Sequence, residues 1–557
     1  METDGVTSPA SFFERLQARD ASLWTAEPAV EEKIGRRLGW LNLHESMRDS
    51  VDELRGFAEW VRELGFRHAV LLGMGGSSLA PEVFQRTFGS APGFPTLHVL
   101  DTIDPLAILR VENRIDVEST LFIVSSKSGT TVETMSLERY FAERTLDATG
   151  DTGALDNFVA VTDPETPLYH RAGESGFHRV FVNPPDIGGR FSALSFFGLV
   201  PAAAIGVDIE RLLASADTVD GVEAAALGER LAALAQEGRD KLTFLSAPGL
   251  ESFGAWAEQL IAESTGKGGQ GIVPIVGEPA GDAQSYGNDR VFVSMQLEER
   301  DEETAAAADQ LEAAGHPVIR IDVPGPYGLG AEFLRWEIAT AAAGAALGLN
   351  PFDEPNVTES KENTRHVIEQ YETSGLMPNP APVVEEDGLS LAADDSTLAR
   401  LGTAPERTVG ALVAEHFLLA PEGSYLAIMA YLPPTEEHER LLTRLRKALR
   451  DATRRATTVG YGPRFLHSTG QLHKGGPATG VFLQLVMNDE IDIDVPGEQS
   501  FTFSVLKRAQ ALGDLAALLG RRRPVLRVSL GDDPAASLLL LVDSVEAALR
   551  ETVGRSR

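Results

Sequence analysis

Cysteine is missing from all 557 residues, and that single absence removes disulfides, thiolate nucleophiles, zinc ribbons and iron–sulfur clusters from the available chemistry. Histidine is scarce too, at 11 residues. No two histidines stand at i, i+4, and no His/Asp/Glu group shows metal-ligand spacing, so a metal site is not expected. Long apolar runs are also lacking. The two richest, 193–207 and 338–349, fall short of the roughly 20 residues that span a bilayer, and Pro201 interrupts the first. The N-terminus, METDGVTSPASFFERL, starts acidic and has no apolar stretch, so no secretory signal is expected and the cytoplasm is the expected location. Positive charge is in deficit: 49 Lys and Arg face 82 Asp and Glu, a net charge of -33. A field of that sign repels DNA, RNA and anionic lipid, so neither a nucleic-acid nor a membrane partner is expected.

What is present is an ordinary globular composition, 43% hydrophobic and 24% charged, in a chain too long for one core. Residues 1–64 alternate apolar and charged positions at helical spacing, as in Val51, Leu54, Phe57, Ala58 and Val61, which predicts a helical N-terminal segment. From 65 to 206 the order is strand, glycine-rich loop, helix, met twice. His68–Leu72 runs into Gly73-Met-Gly-Gly76-Ser77-Ser78, and Thr120–Ser125 runs into Ser126-Lys127-Ser128-Gly-Thr130-Thr131. A second α/β unit is predicted over 207–375 with strands at 242–245, 291–294 and 317–322. Residues 376–407, rich in proline and acid, read as a linker. A third α/β unit is predicted over 408–557, with strands at 425–430, 480–485 and 525–529. Strands alternating with helices imply doubly wound, mostly parallel sheets, whose ligands sit beyond the carboxyl ends of the strands.

The 126–131 loop joins a buried strand to a helix start, where amides, the hydroxyl side chains around Lys127, its ammonium and the helix dipole can meet a phosphate. It lacks the spacing of a nucleotide-binding P-loop. The 73–78 loop alone is a common glycine turn. Beside the first loop it would form an amide-lined mouth suited to a sugar phosphate.

The segments GMGGSSLAP, SSKSGTTVET, GGRFSALS, ESTGKGG, GEP and NPFDEPNVTESK stand in the order met in phosphoglucose isomerases, which the chain resembles. The later VGYGPRFLHSTGQLHKGGP is similar to the isomerase portion of fused transaldolase/phosphoglucose isomerase proteins. The resemblance implies two sugar-isomerase (SIS) domains plus an additional C-terminal α/β unit, a small sugar phosphate as ligand, no cofactor, a homodimer, and a functional link to transaldolase. Residue by residue it implies that Gly76, Ser77, Ser126, Lys127, Ser128, Thr130 and Thr131 hold the phosphosugar. Gly189 and Arg190 would approach the reacting carbons, with Arg190 stabilising an enediolate. Glu278, of the GEP segment, would be the base that moves a proton between C2 and C1. Lys361 would help open the sugar ring, and the ESTGKGG segment starting at Glu263 would border the site. Glu354 stands where the family usually has glutamine and adds a negative charge. The family's usual histidine segment has no match after Glu278, since His316 is offset, so His467 and His473 are the candidates for ring opening. The activity implied is glucose 6-phosphate/fructose 6-phosphate isomerisation. A dual enzyme that also accepts mannose 6-phosphate, or a SIS-type module that only binds a phosphosugar, are the alternatives.

Overall fold

The computed structural model describes residues 8–150, 155–402 and 408–555. Their strands fall into three sheets. The first holds β1 (His68–Gly73), β2 (Thr96–Leu100), β3 (Thr120–Ser125), β4 (Phe158–Thr162) and β5 (Arg179–Val182), in the order β2-β1-β3-β4-β5 and parallel throughout. The second holds β6 (Lys241–Ser246), β7 (Val273–Ile275), β8 (Arg290–Leu297) and β9 (Val318–Val323), in the order β7-β6-β8-β9, again all parallel. The third runs β10-β11-β15-β14-β12-β13, from β10 (Val384–Glu386), β11 (Leu389–Ala393), β12 (Tyr425–Tyr431), β13 (Ala456–Tyr461), β14 (Gly480–Met487) and β15 (Val525–Leu530).

Every residue of β3 is buried, as befits a central strand covered on both faces by helices, and its Leu-Phe-Ile-Val run is the reason it was visible in sequence. Several strands carry no such run. β2 is interrupted by His98, β5 has four residues, β7 is three residues around Pro274, and β13 is half threonine and glycine. Neighbours in the sheets, rather than their own composition, make them strands.

The linker expected over 376–407 is corrected by the structure. Residues 384–393 form the β10–β11 hairpin, and β11 pairs antiparallel with β15. Its turn is Asp387-Gly388, both at positive φ (47° and 80°), the chemistry a two-residue hairpin requires. Leu389 and Leu391 alternate into the third core and pin the register. A short helix, Asp395–Leu401, follows with Asp394 as its N-cap, and residues 403–407 lie outside the described residues.

The N-terminal helices join the core shared by the first two sheets. Trp24 meets Phe352 edge-on at 4.9 Å, and Trp40 lies 5.0 Å from Phe191. The third unit has its own core but also reaches out. Helix Phe503–Gly520 packs along helix Val357–Ser374. Phe503 enters the core of the first sheet and meets Tyr140 edge-to-face at 6.0 Å, a contact worth about 1 kcal/mol beyond area burial. Among the described residues no helix is long and apolar enough to cross a membrane.

Candidate active site

The carboxyl ends of β1 and β3 deliver the two loops to one place. After β1 the chain makes a tight turn, Gly75–Ser77, in which Gly75 has φ 56°. A side chain there would press on Gln259 Nε2 and the His467 carbonyl, each 2.9 Å from the position of a Cβ. Gly76 abuts the backbone of Gly189 in the same way. The glycines therefore let three segments close on one another: the 75–77 turn, the Gly189–Phe191 turn and the Arg464–His467 turn. Ser77 is buried, while the next residue, Ser78, donates its hydroxyl to Asp101 at 3.0 Å.

After β3, Ser126 Oγ lies 3.1 Å from Thr131 Oγ1, and Thr130 donates its hydroxyl to Ser128 at 3.0 Å. Ser128 and Thr130 are exposed and Ser126 is buried. Thr131 is the N-cap of helix Val132–Thr149 but makes no side-chain cap, so the first amides of that helix stay open toward the loop. Lys127 is ion-paired with Asp163 and donates to the Pro185 carbonyl at 3.3 Å, which ties this loop to the segment between β5 and Gly189.

Arg190 is 4% exposed and fully engaged. Its Nε donates to Ser264 at 2.9 Å and its Nη2 donates to the carbonyls of Pro351 and Asp353 at 2.7 and 2.8 Å. Its Nη1 serves two carboxylates, Glu354 at 3.1 Å and Glu263 at 3.4 Å. The two differ in state. Burial pushes the Glu263 carboxyl up to about 7, with Arg190 opposing and the Glu354 charge adding to the rise. Burial works against the Glu354 charge too, but Arg190 holds that carboxyl below its usual range. Lys267 stands behind them, donating to Asp353 at 2.8 Å, and burial together with Arg190 lowers its ammonium to about 8.

The structure does not bring Glu278 to this group. Its side chain is fully buried in an ion pair with Arg290 at 2.9 Å, and it accepts the backbone N–H and hydroxyl of Thr457 at 2.9 and 2.6 Å. Against the effect of burial, Arg290 and Arg446 hold it ionised. These contacts fasten the second unit to β13 and set Glu278, the expected base, apart from the Arg190 group, although its Oε2 accepts no hydrogen bond.

The two candidate histidines part in the same way. His467 Nε2 is 2.9 Å from Glu133 Oε1, and Gln510 donates to that same oxygen at 2.7 Å. Burial disfavours charge on the imidazole, but Glu133 outweighs it and raises the pKa, while the Lys361 ammonium acts on His467 in the opposite sense. Lys361 itself is exposed on helix Val357–Ser374. His473 is instead a core residue, set among Tyr425, Phe465 and Phe482, with neither ring nitrogen partnered. Burial, followed by Lys474 and Arg523, depresses it to about 3. Of the two ring-opening candidates, the structure places His473 in this aromatic core and His467 beside Glu133.

Ser264 and Lys267 lie in the ESTGKGG segment expected to border the site, whereas three residues of this group were not singled out from sequence: Glu133, Gln259 and Gln510. A signal existed for two. Glu133 is the acidic residue in the first turn after the 126–131 loop, and Gln259 stands four residues before Glu263, on the same helix face.

A family model described as phosphoglucose isomerase matches residues 40–235. The glucose-6-phosphate isomerase of Rubrobacter xylanophilus is 32% identical over 395 residues, a match covering 60% of this chain and 91% of that protein. A probable glucose-6-phosphate isomerase of Natronomonas pharaonis is 31% identical over 400 residues, covering 64% and 90%. Among solved structures, a protein of Thermus thermophilus described as hypothetical superposes with a TM-score of 0.55 at 27% identity, over 64% of this chain and 96% of that one.

Proposed function

The chain belongs to the phosphoglucose isomerase family, and from that premise we propose how its residues carry out the reaction. It is an aldose–ketose isomerase that interconverts glucose 6-phosphate and fructose 6-phosphate. The phosphate is taken by the exposed hydroxyls of Ser128 and Thr130, by Thr131 and Ser126, and by the open amides of helix Val132–Thr149, with Lys127 turning from Asp163 toward the added anion. Gly76, Ser77 and Gly189 let the backbone come close to the sugar.

Ring opening needs a proton delivered to the ring oxygen, and His467 is built to hold one, since Glu133 keeps its imidazole charged. Lys361 stands on the same side and supports the departing charge. Glu263 is the base. It moves the proton between C2 and C1, for which a carboxyl near 7 is well matched to neutral pH. Arg190 is held by Ser264 and two carbonyls, and its Nη1, released from Glu263 once that carboxylate has taken the proton, faces the charge of the enediolate that forms between the two steps. Glu354 keeps Arg190 in place and accepts from a sugar hydroxyl.

The observation that carries this assignment is the sharing of Arg190 Nη1 between Glu263 and Glu354. A coupled assay that reads glucose 6-phosphate formed from fructose 6-phosphate tests it: turnover in the wild-type chain, lost in Glu263→Gln with fructose 6-phosphate still bound, is the expected result. Full turnover in that variant rules Glu263 out. A cytoplasmic location belongs to the same proposal, as do a homodimer and a functional link to transaldolase, and these last two rest on the family resemblance alone.

A further inference from the structure

The third sheet has a carboxyl edge of its own. The chain goes from β12 to β13 on one side and then crosses to β14 on the other, so the ends of β12 and β14 flank a topological switch point. In doubly wound folds ligands bind in that crevice. A cavity of about 1110 Å³ opens there, floored by the residues after β12, β13, β14 and β15 and roofed by β2 and helix Pro105–Glu112 of the first unit. None of the residues assigned above to isomerisation lines it.

The groups on its two walls that lack an ion-pair partner differ in sign. On the first-unit side stand Arg86, Arg110 and Arg114, none of which makes a salt bridge among the described residues. Glu436 and Glu490, on the third-unit side, likewise have no cation partner. Tyr461 also lines the cavity, and its buried hydroxyl has no hydrogen-bond partner. Three guanidinium groups on one wall suit one phosphate. Carboxylates and a phenol on the other wall suit hydroxyl groups and repel a second anion.

The cavity is joined to the isomerase centre at two points. Arg464 lines the cavity, where it is ion-paired with Glu82 and, at 3.1 Å, with Asp101. The same short turn ends three residues later in His467. Asp101, in turn, accepts the hydroxyl of Ser78, at the end of the first glycine loop.

We propose that this cavity is a second small-molecule site, which takes a hydroxylated metabolite bearing a single phosphate and transmits its occupancy to His467 through Arg464. The phosphate meets the arginine wall and the hydroxyls meet Glu436, Glu490 and Tyr461. A ligand that reaches Arg464 or Asp101 changes a pairing that fixes the turn ending in His467, so binding and turnover are coupled. This inference rests on the isomerase reading only for that coupling.

The test is calorimetric titration of the full chain, wild type and Arg110→Ser/Arg114→Ser, with fructose 6-phosphate, 6-phosphogluconate and ribose 5-phosphate separately, alongside the isomerase assay. We expect at least one probe to bind at two sites per chain in the wild type and at one fewer in the variant. The coupling adds a change of about fivefold in kcat/KM with the second site filled, absent in the variant. No more than one site for all three probes, or equal site numbers in both proteins, overturns the proposal. A chain that turns over with a single site refutes this inference and leaves the isomerase intact. Should the double variant fail to fold, Arg86→Ser, on an exposed position, carries the same test. Weakening of the second site by about tenfold supports the proposal, and unchanged affinity there overturns it.

Discussion

His467 Nε2 lies 2.9 Å from Glu133 Oε1 across 334 residues of chain, joining the third unit to the helix that begins at the phosphate loop. The contact holds both groups charged: Glu133 falls to about 2 from 4.5 despite its burial, and His467 rises above 6.5. The depressed carboxyl adds stability above pH 4.5 that is lost as pH falls toward 2. The raised imidazole adds stability below pH 6.5 that is lost as pH rises through its folded value. The pair therefore stabilises most between those two limits. Glu133→Gln should lower kcat about 100-fold and move the alkaline limb of the kcat profile to lower pH, because the imidazole loses its proton sooner. A pH profile of isomerisation reads both.

Glu263 and Glu278 should separate when each is changed to Gln. Glu263→Gln removes the proposed base, and turnover should fall about 1,000-fold with fructose 6-phosphate affinity within a few-fold of wild type. Glu278→Gln leaves Arg290 buried without its charge partner. Breaking such a pair costs about 3–5 kcal/mol, so its signature should be a lowered Tm, with kcat unchanged in the molecules that stay folded. Thermal melts beside single-temperature kinetics distinguish the two.

His473→Leu should leave kcat within about twofold of wild type and keep or raise the Tm. The ring sits among three aromatic side chains with both nitrogens unpartnered. An apolar side chain of similar size removes that unmet polar demand. A large loss of activity in this variant, with folding intact, would return His473 to the mechanism.

The divergence of Glu263 from Glu278, and of His467 from His473, marks where sequence stops being informative. Strands such as β3 and β4 are legible because each is a short apolar run of five or six residues, rich in β-branched and aromatic side chains and closed by a loop, which suits a covered strand. The two phosphate-side loops are legible because each joins such a strand to a helix start. Side-chain partnership across the chain is not. Glu278 looks as available as Glu263 until β8 brings Arg290 and β13 brings Thr457 against it, 179 residues away. His473 sits in as polar a stretch as His467, yet a short helix, Gly470–Gly475, turns it inward toward Tyr425 and Phe482. The hairpin at Asp387-Gly388 was legible in its turn residues, but the surrounding proline and acid masked it.

Glu354 offers the sharpest pH test, since it stands where the resemblance leads one to expect glutamine. Its charge adds to the rise of Glu263 toward 7, and the two share one arginine nitrogen. Glu354→Gln removes that charge while keeping an acceptor for Arg190, so the Glu263 carboxyl should ionise at lower pH. The acid limb of kcat/KM, which reports the free enzyme, should then move from near 7 to a more acidic value. A weaker base follows from the lower pKa, so the plateau rate above the limb should fall modestly while activity below pH 6 rises relative to wild type. An unmoved acid limb in Glu354→Gln would mean that the limb belongs to another group, and the assignment of Glu263 as base would lose its support.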